Sequence, residues 1–417
     1  MTKNKTNMSI IPHLRFPGFV GEWVERPLST FLFEHKTKSD GKSEVHSVSV
    51  AKGVINQVEY LGRSFAAADT SKYNLAKPND IIYTKSPTGA FPYGIVKMNK
   101  NPYNVIVSPL YAVYSPINKY IGYILDSYFE SPANTNNYLS SLVQKGAKNT
   151  INITNETFVS KAICLPTDEK EQQRIAECLS ELDDLTSAQD QKVEALKEKK
   201  KGLMQQLFPQ PGETSPRLRF PGFSGDWEDL KISDVADVLQ GYGFPDKYQG
   251  QKSGELPFCK VGDISAAVDK GERIITKAAN YVDYSLLSTL HAKPIPVGST
   301  IFAKIGEAIR SNKRIKTGVP CLIDNNAAAV KAKNEDMDDF MFYLMSQIKL
   351  GDYSGGIVPS VNKSTIESIP ILVPPIPAEQ QKIASCLSAL DDNIANEAVK
   401  FEVLKNHKKG LMQQLFP

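Results

Sequence analysis

The sequence predicts an α+β (mixed α/β) protein in which two globular domains are separated by a long antiparallel two-helix coiled coil with pseudo-twofold symmetry. Three observations predict this fold. Two segments of the 417-residue chain each occur twice. The longer of these segments carries apolar residues at the spacing of a coiled-coil seam. The stretches between the repeats differ in sequence, yet each shows the same order of strand-like and helix-like patterns.

The shorter repeated segment opens each half of the chain. Residues 12–19, which end in Leu-Arg-Phe-Pro-Gly-Phe and are followed by Trp23, return as residues 216–223, followed by Trp227. The separation of the two copies far exceeds the roughly 20–50 residues of a solenoid repeat. We therefore interpret the chain as a duplicated domain, in which one framework is used twice to hold two different binding surfaces.

The longer repeated segment, residues 171–209 and 379–417, predicts two helices. Its apolar residues recur at alternating steps of three and four, which is typical of a coiled-coil seam. Pro166 and Pro377, just before the two copies, are helix-start signals. The candidate seam residues are Ile175, Leu179, Leu182, Val193, Leu196, Leu203, Leu207, Ile383, Leu387, Leu390, Ile394, Phe401, Leu404, Leu411 and Leu415.

Polar residues and glycines interrupt this seam. Each copy contains the sequence Lys-Gly-Leu-Met-Gln-Gln-Leu-Phe near its end, and a glycine inside a helix costs about 1 kcal/mol relative to alanine. The matched placement of these glycines predicts a break or a close contact at each. The polar residues at seam positions are Thr186, Gln189, Lys200, Glu397 and Lys408, and the two glycines are Gly202 and Gly410.

The repeats divide the chain into four regions. We expect a first globular domain over residues 1–165, a helix over 166–209, a second globular domain over 210–373 and a second helix over 374–417. The linker at residues 210–216 is short and rich in turn-forming residues. The second helix is therefore expected to return antiparallel to the first.

The two variable stretches are predicted to mix strands and helices. Each closes with a glycine (Gly146 or Gly356), a polar loop and a short strand that runs into proline. The two stretches therefore share the same order of strands and helices, although their residues differ. Strands are predicted at residues 80–85, 104–107, 111–114, 300–304 and 327–330, and helices at 120–129 and 338–347.

Composition excludes some classes of protein and leaves others open. The net charge of +3 does not by itself indicate a nucleic-acid partner, so any basic surface must be local. The amino terminus lacks the apolar core of a signal peptide, and no run approaches the roughly 18 apolar residues of a membrane helix. Five scattered cysteines without a CxxC pair argue against a disulfide framework or a zinc site. We expect a cytoplasmic protein that does not enter a membrane.

The chain lacks the sequence motifs of common catalytic sites. We find no Walker A loop, no HExxH and no nucleophile elbow, and the five histidines share no partner spacing. The sequence therefore predicts a non-catalytic protein with no metal and no cofactor.

The repeated segments together resemble the specificity (S) subunits of type I restriction-modification systems, and the resemblance covers essentially the whole chain. It depends on the Leu-Arg-Phe-Pro-Gly-Phe openings, the Glu-Gln-Gln-Arg/Lys-Ile-Ala helix starts and the Lys-Gly-Leu-Met-Gln-Gln-Leu-Phe helix ends, all in duplicate. The resemblance implies that the variable stretches are target recognition domains, each of which reads one half of a split double-stranded DNA target. It also implies that the helices set the spacing and form the interface for two methyltransferase (M) subunits, which restriction (R) subunits join.

Candidate DNA-binding residues come from the variable stretches, because the repeated segments cannot encode two different targets. Basic side chains would neutralise phosphates, and polar ones would add base discrimination. One predicted strand-to-loop segment carries five basic residues, and Lys85 ends the comparable strand of the first stretch; the five are Lys304, Arg310, Lys313, Arg314 and Lys316. The candidates are Lys85, Thr88, Tyr93, Lys145, Lys148, Asn149, Tyr242, Lys260, Lys304, Arg310, Lys313, Arg314 and Lys363.

Some alternatives stay open from the sequence. The helix lysines, such as Lys200 and Lys408, could follow spacer phosphates, contact M subunits or simply be solvated. The chain could also be a duplicated enzyme, or a structural adaptor that joins proteins without reading DNA. Binding to DNA without sequence preference at raised salt would favour the adaptor.

Overall fold

The computed structural model describes residues 9–145 and 151–416. The chain forms two compact units. The first comprises residues 1–188 together with 401–417, and the second comprises residues 189–400. Each unit therefore contains one variable stretch and a part of each of two long helices.

The first unit places its helices around several small antiparallel sheets. The largest sheet has the strand order β3-β10-β7-β8, and a second sheet has the order β1-β2-β13. The strands are β1 (Ser9–Ile10), β2 (Trp23–Pro27), β3 (Leu32–Glu34), β4 (His46–Ser49), β5 (Gly53–Asn56), β6 (Asn74–Ala76), β7 (Ile81–Tyr83), β8 (Val96–Met98), β9 (Val105–Val107), β10 (Ala112–Pro116), β11 (Gln144–Lys145), β12 (Ile151–Asn152) and β13 (Ala162–Leu165). The helices before the first long helix are α1 (Gln57–Leu61), α2 (Lys119–Glu130), α3 (Pro132–Ser140) and α4 (Asn155–Ser160).

The second unit is built around a mixed sheet with the strand order β15-β22-β19-β20-β17, in which only the β17–β20 pair is parallel. A smaller sheet has the order β18-β16-β21. The strands are β14 (Glu228–Lys231), β15 (Ala236–Gln240), β16 (Leu256–Cys259), β17 (Ile274–Ile275), β18 (Asn280–Val282), β19 (Thr300–Ala303), β20 (Ile315–Thr317), β21 (Leu322–Ile323), β22 (Ala327–Ala332) and β23 (Pro370–Val373). The shorter helices are α6 (Ile232–Val235), α7 (Val261–Asp269), α8 (Leu287–Leu290), α9 (Asp338–Gln347) and α10 (Lys363–Glu367).

The strands and helices predicted inside the variable stretches are confirmed, with small shifts at their ends. Their apolar residues form the cores, because each buried strand presents β-branched or aromatic side chains to a helix. Ile81 and Tyr83 of β7 are fully buried beside α2 in the first unit. Phe302 of β19 lies under Phe340 of α9 in the second unit.

The two long helices are α5 (Glu169–Leu207) and α11 (Pro377–Leu415). Asp168 starts α5 by accepting hydrogen bonds from the backbone N–H groups of residues 170 and 171. Both helices continue through Gly202 and Gly410, and a methyl group added at either glycine would meet no atom within 4 Å. The predicted break or close contact at these glycines is therefore wrong.

Within each unit the long helices lie side by side and run in opposite directions. In the second unit Lys192 pairs with Glu397, whereas Lys200, further along α5, pairs with Asp391, earlier in α11. In the first unit Leu179 of α5 shares a core with Met412 and the end of α11. Eight candidate seam residues are buried, namely Ile175, Leu179, Leu182, Val193, Leu207, Ile383, Leu387 and Leu415. The half-buried ones are Leu196, Leu203, Leu390, Ile394, Phe401, Leu404 and Leu411.

Candidate nucleic-acid interface

The second unit brings several of the predicted DNA-binding residues together at the end of β19. Lys304 directly follows this strand, and its backbone N–H donates to the carbonyl oxygen of Asn326 over 2.8 Å. The carbonyl oxygen of Lys304 accepts from Val361 N at 3.0 Å, and Gly306 N donates to Pro359 O at 2.7 Å. Three loops that are far apart in sequence, at residues 304–310, 324–326 and 354–362, therefore meet at one edge of the sheet.

Tyr242 follows β15 of the five-stranded sheet and Lys260 follows β16 of the three-stranded sheet, and both lie beside the loop at residues 324–326. Tyr242 N donates to Ile323 O at 2.9 Å, and Asp324 N donates to Cys259 O at 3.2 Å. The approach is close, because a methyl group added at Gly241 would lie 1.7 Å from the carbonyl oxygen of Asp324. Only glycine can stand at position 241, so the backbone itself fixes where Tyr242 lies.

The lysine side chains at this edge differ in their surroundings. The ammonium group of Lys260 donates to the amide oxygen of Gln249 and lies 5.4 Å from the ring centre of Phe244. Partial burial lowers the pKa of Lys304 from its usual value, although the nearby carboxyl group of Asp324 acts in the opposite direction. A lysine that is partly desolvated gains from an approaching anion, because the anion replaces the lost hydration of the ammonium group. Lys304 is therefore suited to contact a phosphate.

Arg310 and Lys363 extend this basic surface. Arg310 is exposed, and its guanidinium lies 3.5 Å from the equally exposed carboxylate of Glu307. Lys363 begins α10, which Asn362 caps by accepting from Thr365 N at 2.8 Å. The ammonium group of Lys363 lies 3.5 Å from the carboxylate of Glu367, one turn later in the helix. Exposed pairs of this kind are weak, so both cations remain available to an anionic partner.

The remaining basic residues of the predicted cluster are either paired with a carboxylate or buried. Lys313 pairs with Asp269 at 2.6 Å, and Lys316 pairs with Asp339 at the start of α9. Arg314 is 6% exposed, and its guanidinium lies 4.8 Å from the ring centre of Phe302. Burial lowers the pKa of Arg314 below its usual range. We therefore remove Arg314 from the candidate surface, because its buried guanidinium cannot contact DNA. Lys313 and Lys316 stay predictions, and each has one carboxylate partner.

The candidates of the first unit lie on the loop after β7. Lys85 and Thr88 are exposed, and the backbone groups of Thr88 and Phe91 exchange hydrogen bonds of 3.0 and 2.9 Å. Tyr93 is half-buried, and its carbonyl oxygen accepts from the hydroxyl of Tyr83 at 2.8 Å. Lys145 belongs to β11, which pairs with β12, whereas the predicted residues Lys148 and Asn149 lie outside the described residues.

Four polar residues at seam positions, Gln189, Lys200, Glu397 and Lys408, have partners on the other long helix, which the sequence pattern did not indicate. The hydroxyl of Thr186 instead donates to the carbonyl oxygen of Leu182 in its own helix at 2.7 Å. In the first unit the ammonium group of Lys408 lies 2.5 Å from Asp183 and 2.6 Å from Glu130. The hydroxyl of Tyr123 donates to the same Asp183 carboxylate at 2.5 Å, and Lys100 lies 3.3 Å away. Burial disfavours the charged form of Asp183, but the ammonium groups of Lys100 and Lys408 outweigh it and lower its pKa.

The second unit repeats this arrangement with the roles of the helices exchanged. Lys200 of α5 lies 2.6 Å from Asp391 of α11, and the hydroxyl of Tyr343 donates to Asp391 at 2.7 Å. Arg273 is a second cation near this aspartate, 3.9 Å from Asp391 and 3.1 Å from Asp392. We call the two arrangements, Asp183–Lys408–Tyr123 and Asp391–Lys200–Tyr343, the interhelix ion pairs.

The short repeated segment is also fixed in the same way in both units. The guanidinium of Arg15 makes two hydrogen bonds to Glu171, of 2.6 and 2.8 Å. The guanidinium of Arg219 makes the matching pair to Glu379, of 2.7 and 2.8 Å. Both glutamates are at most 1% exposed, and paired bonds of this geometry are strong. They attach the Leu-Arg-Phe-Pro-Gly-Phe segment to the start of each long helix.

Among the helices of residues 9–145 and 151–416, none combines the length and the apolar composition that a bilayer span needs. No group of three or more His, Cys, Asp or Glu side chains in that part of the chain is arranged to hold a metal ion.

Comparisons with solved structures support the fold. A crystal structure of the S subunit of a type I restriction-modification system from M. genitalium superposes with a TM-score of 0.60, covering 98% of this chain and 99% of that one at 13% identity. A second structure, reported in work on complex assembly and conformational transition of the type I system, superposes with a TM-score of 0.53. The match covers 97% of this chain and 99% of that one at 16% identity.

Relatives and a family model complete the comparison. The MjaVIII type I restriction enzyme specificity subunit of Methanocaldococcus jannaschii is 26% identical over 275 residues, 62% of either chain. Another relative from that organism is 26% identical over 284 residues, 66% of this chain and 62% of its own length. The chain thus spans about three fifths of the length of each of these two relatives. The family model described as "Type I restriction modification DNA specificity domain" matches residues 35–198 and again 224–406. The chain therefore belongs to the family of type I restriction-modification specificity subunits and carries two copies of its DNA specificity domain.

Proposed function

We propose that this chain gives a type I restriction-modification complex its target, with each variable stretch binding one half of a bipartite, non-palindromic DNA sequence. The observation that carries this proposal is that the same ion pairs occur in both units, whereas the sheets of the two units differ. The interhelix ion pairs and the Arg15–Glu171 and Arg219–Glu379 pairs occur once in each unit. The sheets they support differ, since one is a four-stranded antiparallel sheet and the other a five-stranded mixed sheet.

The matched framework supports two equivalent interfaces for methyltransferase subunits. A surface that occurs twice in one chain can bind two copies of one partner. We infer that the long helices and the two Leu-Arg-Phe-Pro-Gly-Phe segments bind two methyltransferase subunits, and that restriction subunits join this assembly. The expected boundaries at residues 165, 209 and 373, and the coiled coil with its seam, stay predictions.

The unmatched sheets support two different DNA-reading surfaces. In the second unit we assign DNA contact to Tyr242, Lys260, Lys304, Arg310 and Lys363, which lie on one edge or beside it. In the first unit we assign DNA contact to Lys85, Thr88 and Tyr93, and further along the chain to Lys145, Lys148 and Asn149. Phosphate contacts from the lysines and Arg310 would give affinity, and the tyrosines would add base or sugar contacts. The chain itself is assigned no reacting group, so that methyl transfer and cleavage belong to its partners.

Selection from a randomised pool of duplexes tests this proposal. The chain is purified with its methyltransferase partner, and bound duplexes are recovered at raised salt, which removes non-specific phosphate-driven binding. We expect two short sequence blocks that differ from each other and are separated by a spacer of fixed length and unspecified sequence. Recovered duplexes without any enriched sequence would leave only the structural adaptor function.

A further inference from the structure

The loop that closes the second variable stretch presents two aliphatic side chains to solvent. Ile357 is fully exposed, at 104% of its reference area, and the adjacent Val358 is 60% exposed. The sequence reading treated this loop, which begins near Gly356, as polar. Single apolar side chains on a surface are common, but two neighbouring ones at the tip of a loop require an explanation.

This tip is held by backbone hydrogen bonds on both sides. Gly355 and Ser360 pair across its base, with N–H···O distances of 3.3 and 3.2 Å. Ile305 pairs with Ser360, and Gly306 N donates to Pro359 O at 2.7 Å. The tip is therefore fixed to the loop that follows β19. We call residues 355–360 the aliphatic tip.

The charges around the aliphatic tip favour one kind of partner. The tip is bonded to the segment that carries Lys304 and Arg310, and Lys363 follows it three residues later. A purely apolar partner would leave the surrounding cations without opposite charges. Duplex DNA instead offers phosphates beside apolar base surfaces. Thymine methyl groups in the major groove and the faces of unstacked bases are the apolar surfaces of DNA that proteins contact.

We infer that Ile357 and Val358 contact apolar base surface in the half-site bound by the second unit, either a thymine methyl group or the face of a base. This inference depends on the proposed function, because it assumes that the second unit reads DNA. It adds an aliphatic specificity contact to a surface whose other assigned residues are mostly cations. The lysines would hold the phosphates while the aliphatic tip reaches the bases.

The test uses the chain with its methyltransferase partner and a duplex that the wild-type complex selects from a randomised pool. The double variant Ile357→Ser with Val358→Ser is compared with wild type and with the control Val297→Ser. Val297 is 48% exposed and precedes β19 at the opposite end from Lys304. We expect the double variant to bind the selected duplex about tenfold more weakly, with the control unchanged.

The salt dependence of binding separates a base contact from a phosphate contact. Each lost phosphate contact reduces the slope of log affinity against log salt by about 0.9. We expect the double variant to keep the wild-type slope, because no charge is removed. A double variant that binds as wild type does, or that loses the methyltransferase partner instead of the duplex, contradicts the inference. A wild-type complex without any sequence preference removes the proposed function itself.

Base analogues identify which apolar surface is contacted. Replacement of thymine by uracil at one position of the second half-site should weaken wild type but not the double variant if a methyl group is bound. Fluorescence of 2-aminopurine should rise on binding of wild type but not of the double variant if a base is unstacked. Either result supports the inference, and equal responses of the two proteins in both assays overturn it.

Discussion

The interhelix ion pair of the first unit allows a quantitative prediction. In Lys408→Met, the side chain keeps much of its apolar contact but loses the ammonium group that lies 2.5 Å from Asp183 and 2.6 Å from Glu130. Lys408 is 11% exposed in its side chain, whereas Glu130 is 43% exposed and can be hydrated again. The loss therefore falls mainly on Asp183, which is 23% exposed.

The expected loss in the free energy of unfolding depends on which partners Asp183 keeps in the variant. Breaking a buried ion pair costs about 3–5 kcal/mol when the remaining charge is left alone. Asp183 keeps the hydroxyl of Tyr123 and the ammonium group of Lys100, so we expect a smaller loss, about 2 kcal/mol in the free energy of unfolding. For a unit of this size, that corresponds to a decrease of about 4–8 °C in Tm.

The assay is differential scanning calorimetry at neutral pH, with Lys409→Met as the matched control. Lys409 is the next residue and is exposed, so its replacement should leave Tm within about 1 °C of wild type. In the Asp183→Asn background, the further change Lys408→Met should cost clearly less, since the two residues share one interaction. Equal effects of the variants at positions 408 and 409 would refute the reasoning.

The pH dependence gives an independent check of the same pair. The folded protein lowers the pKa of Asp183, so its stabilising effect is present above the unfolded pKa of about 3.9 and is lost as pH falls through the lower folded value. The difference in stability between wild type and Lys408→Met should therefore be constant near neutral pH and shrink below about pH 4. A difference that grows on acidification would contradict this assignment.

The remaining predictions concern the second unit and the helix core. Lys200→Met should destabilise the second unit by a similar amount, about 2 kcal/mol, while the exposed neighbour Lys199→Met should not, as calorimetry can show. Arg310→Gln should reduce the salt slope of DNA binding by about 0.9 without changing Tm, whereas replacing the buried Arg314 should lower Tm. Leu179→Asp should cost more than about 4 kcal/mol, because it removes a buried side chain and buries a carboxylate, and should abolish copurification of the methyltransferase partner.

Much of the fold could be predicted because it depends on periodic patterns. The steps of three and four in the repeated segment indicated the long helices, and runs of β-branched and aromatic residues indicated strands such as β7 and β19. Gly202 and Gly410 misled the prediction, because glycine lowers helix propensity but neighbouring residues can carry the helix through it. Packing then decides the outcome, and packing is not visible in a local pattern.

The candidate surface was harder to predict, because nearness in sequence differs from nearness in space. Lys304, Arg310, Lys313 and Arg314 share one segment, yet the chain turns Lys313 towards Asp269 and Arg314 into the core. Asp391 and Asp183, which pair with Lys200 and Lys408, lie on the other long helix, so that no spacing along one helix could reveal these pairs. Their matched positions in the two repeats were the available signal, since lysine at a seam position requires a nearby carboxylate.

The central claim is that two different recognition surfaces are attached to one repeated framework. Its most direct test is a chain in which residues 227–373 are replaced by the corresponding residues 23–165, expressed in a host together with its methyltransferase partner. Sequencing the methylated positions in the host genome compares this chimaera with wild type. The predicted wild-type motif has two unlike halves, and the chimaera should methylate an interrupted palindrome made of the first half twice. An unchanged second half in the motif of a folded, active chimaera would contradict the account.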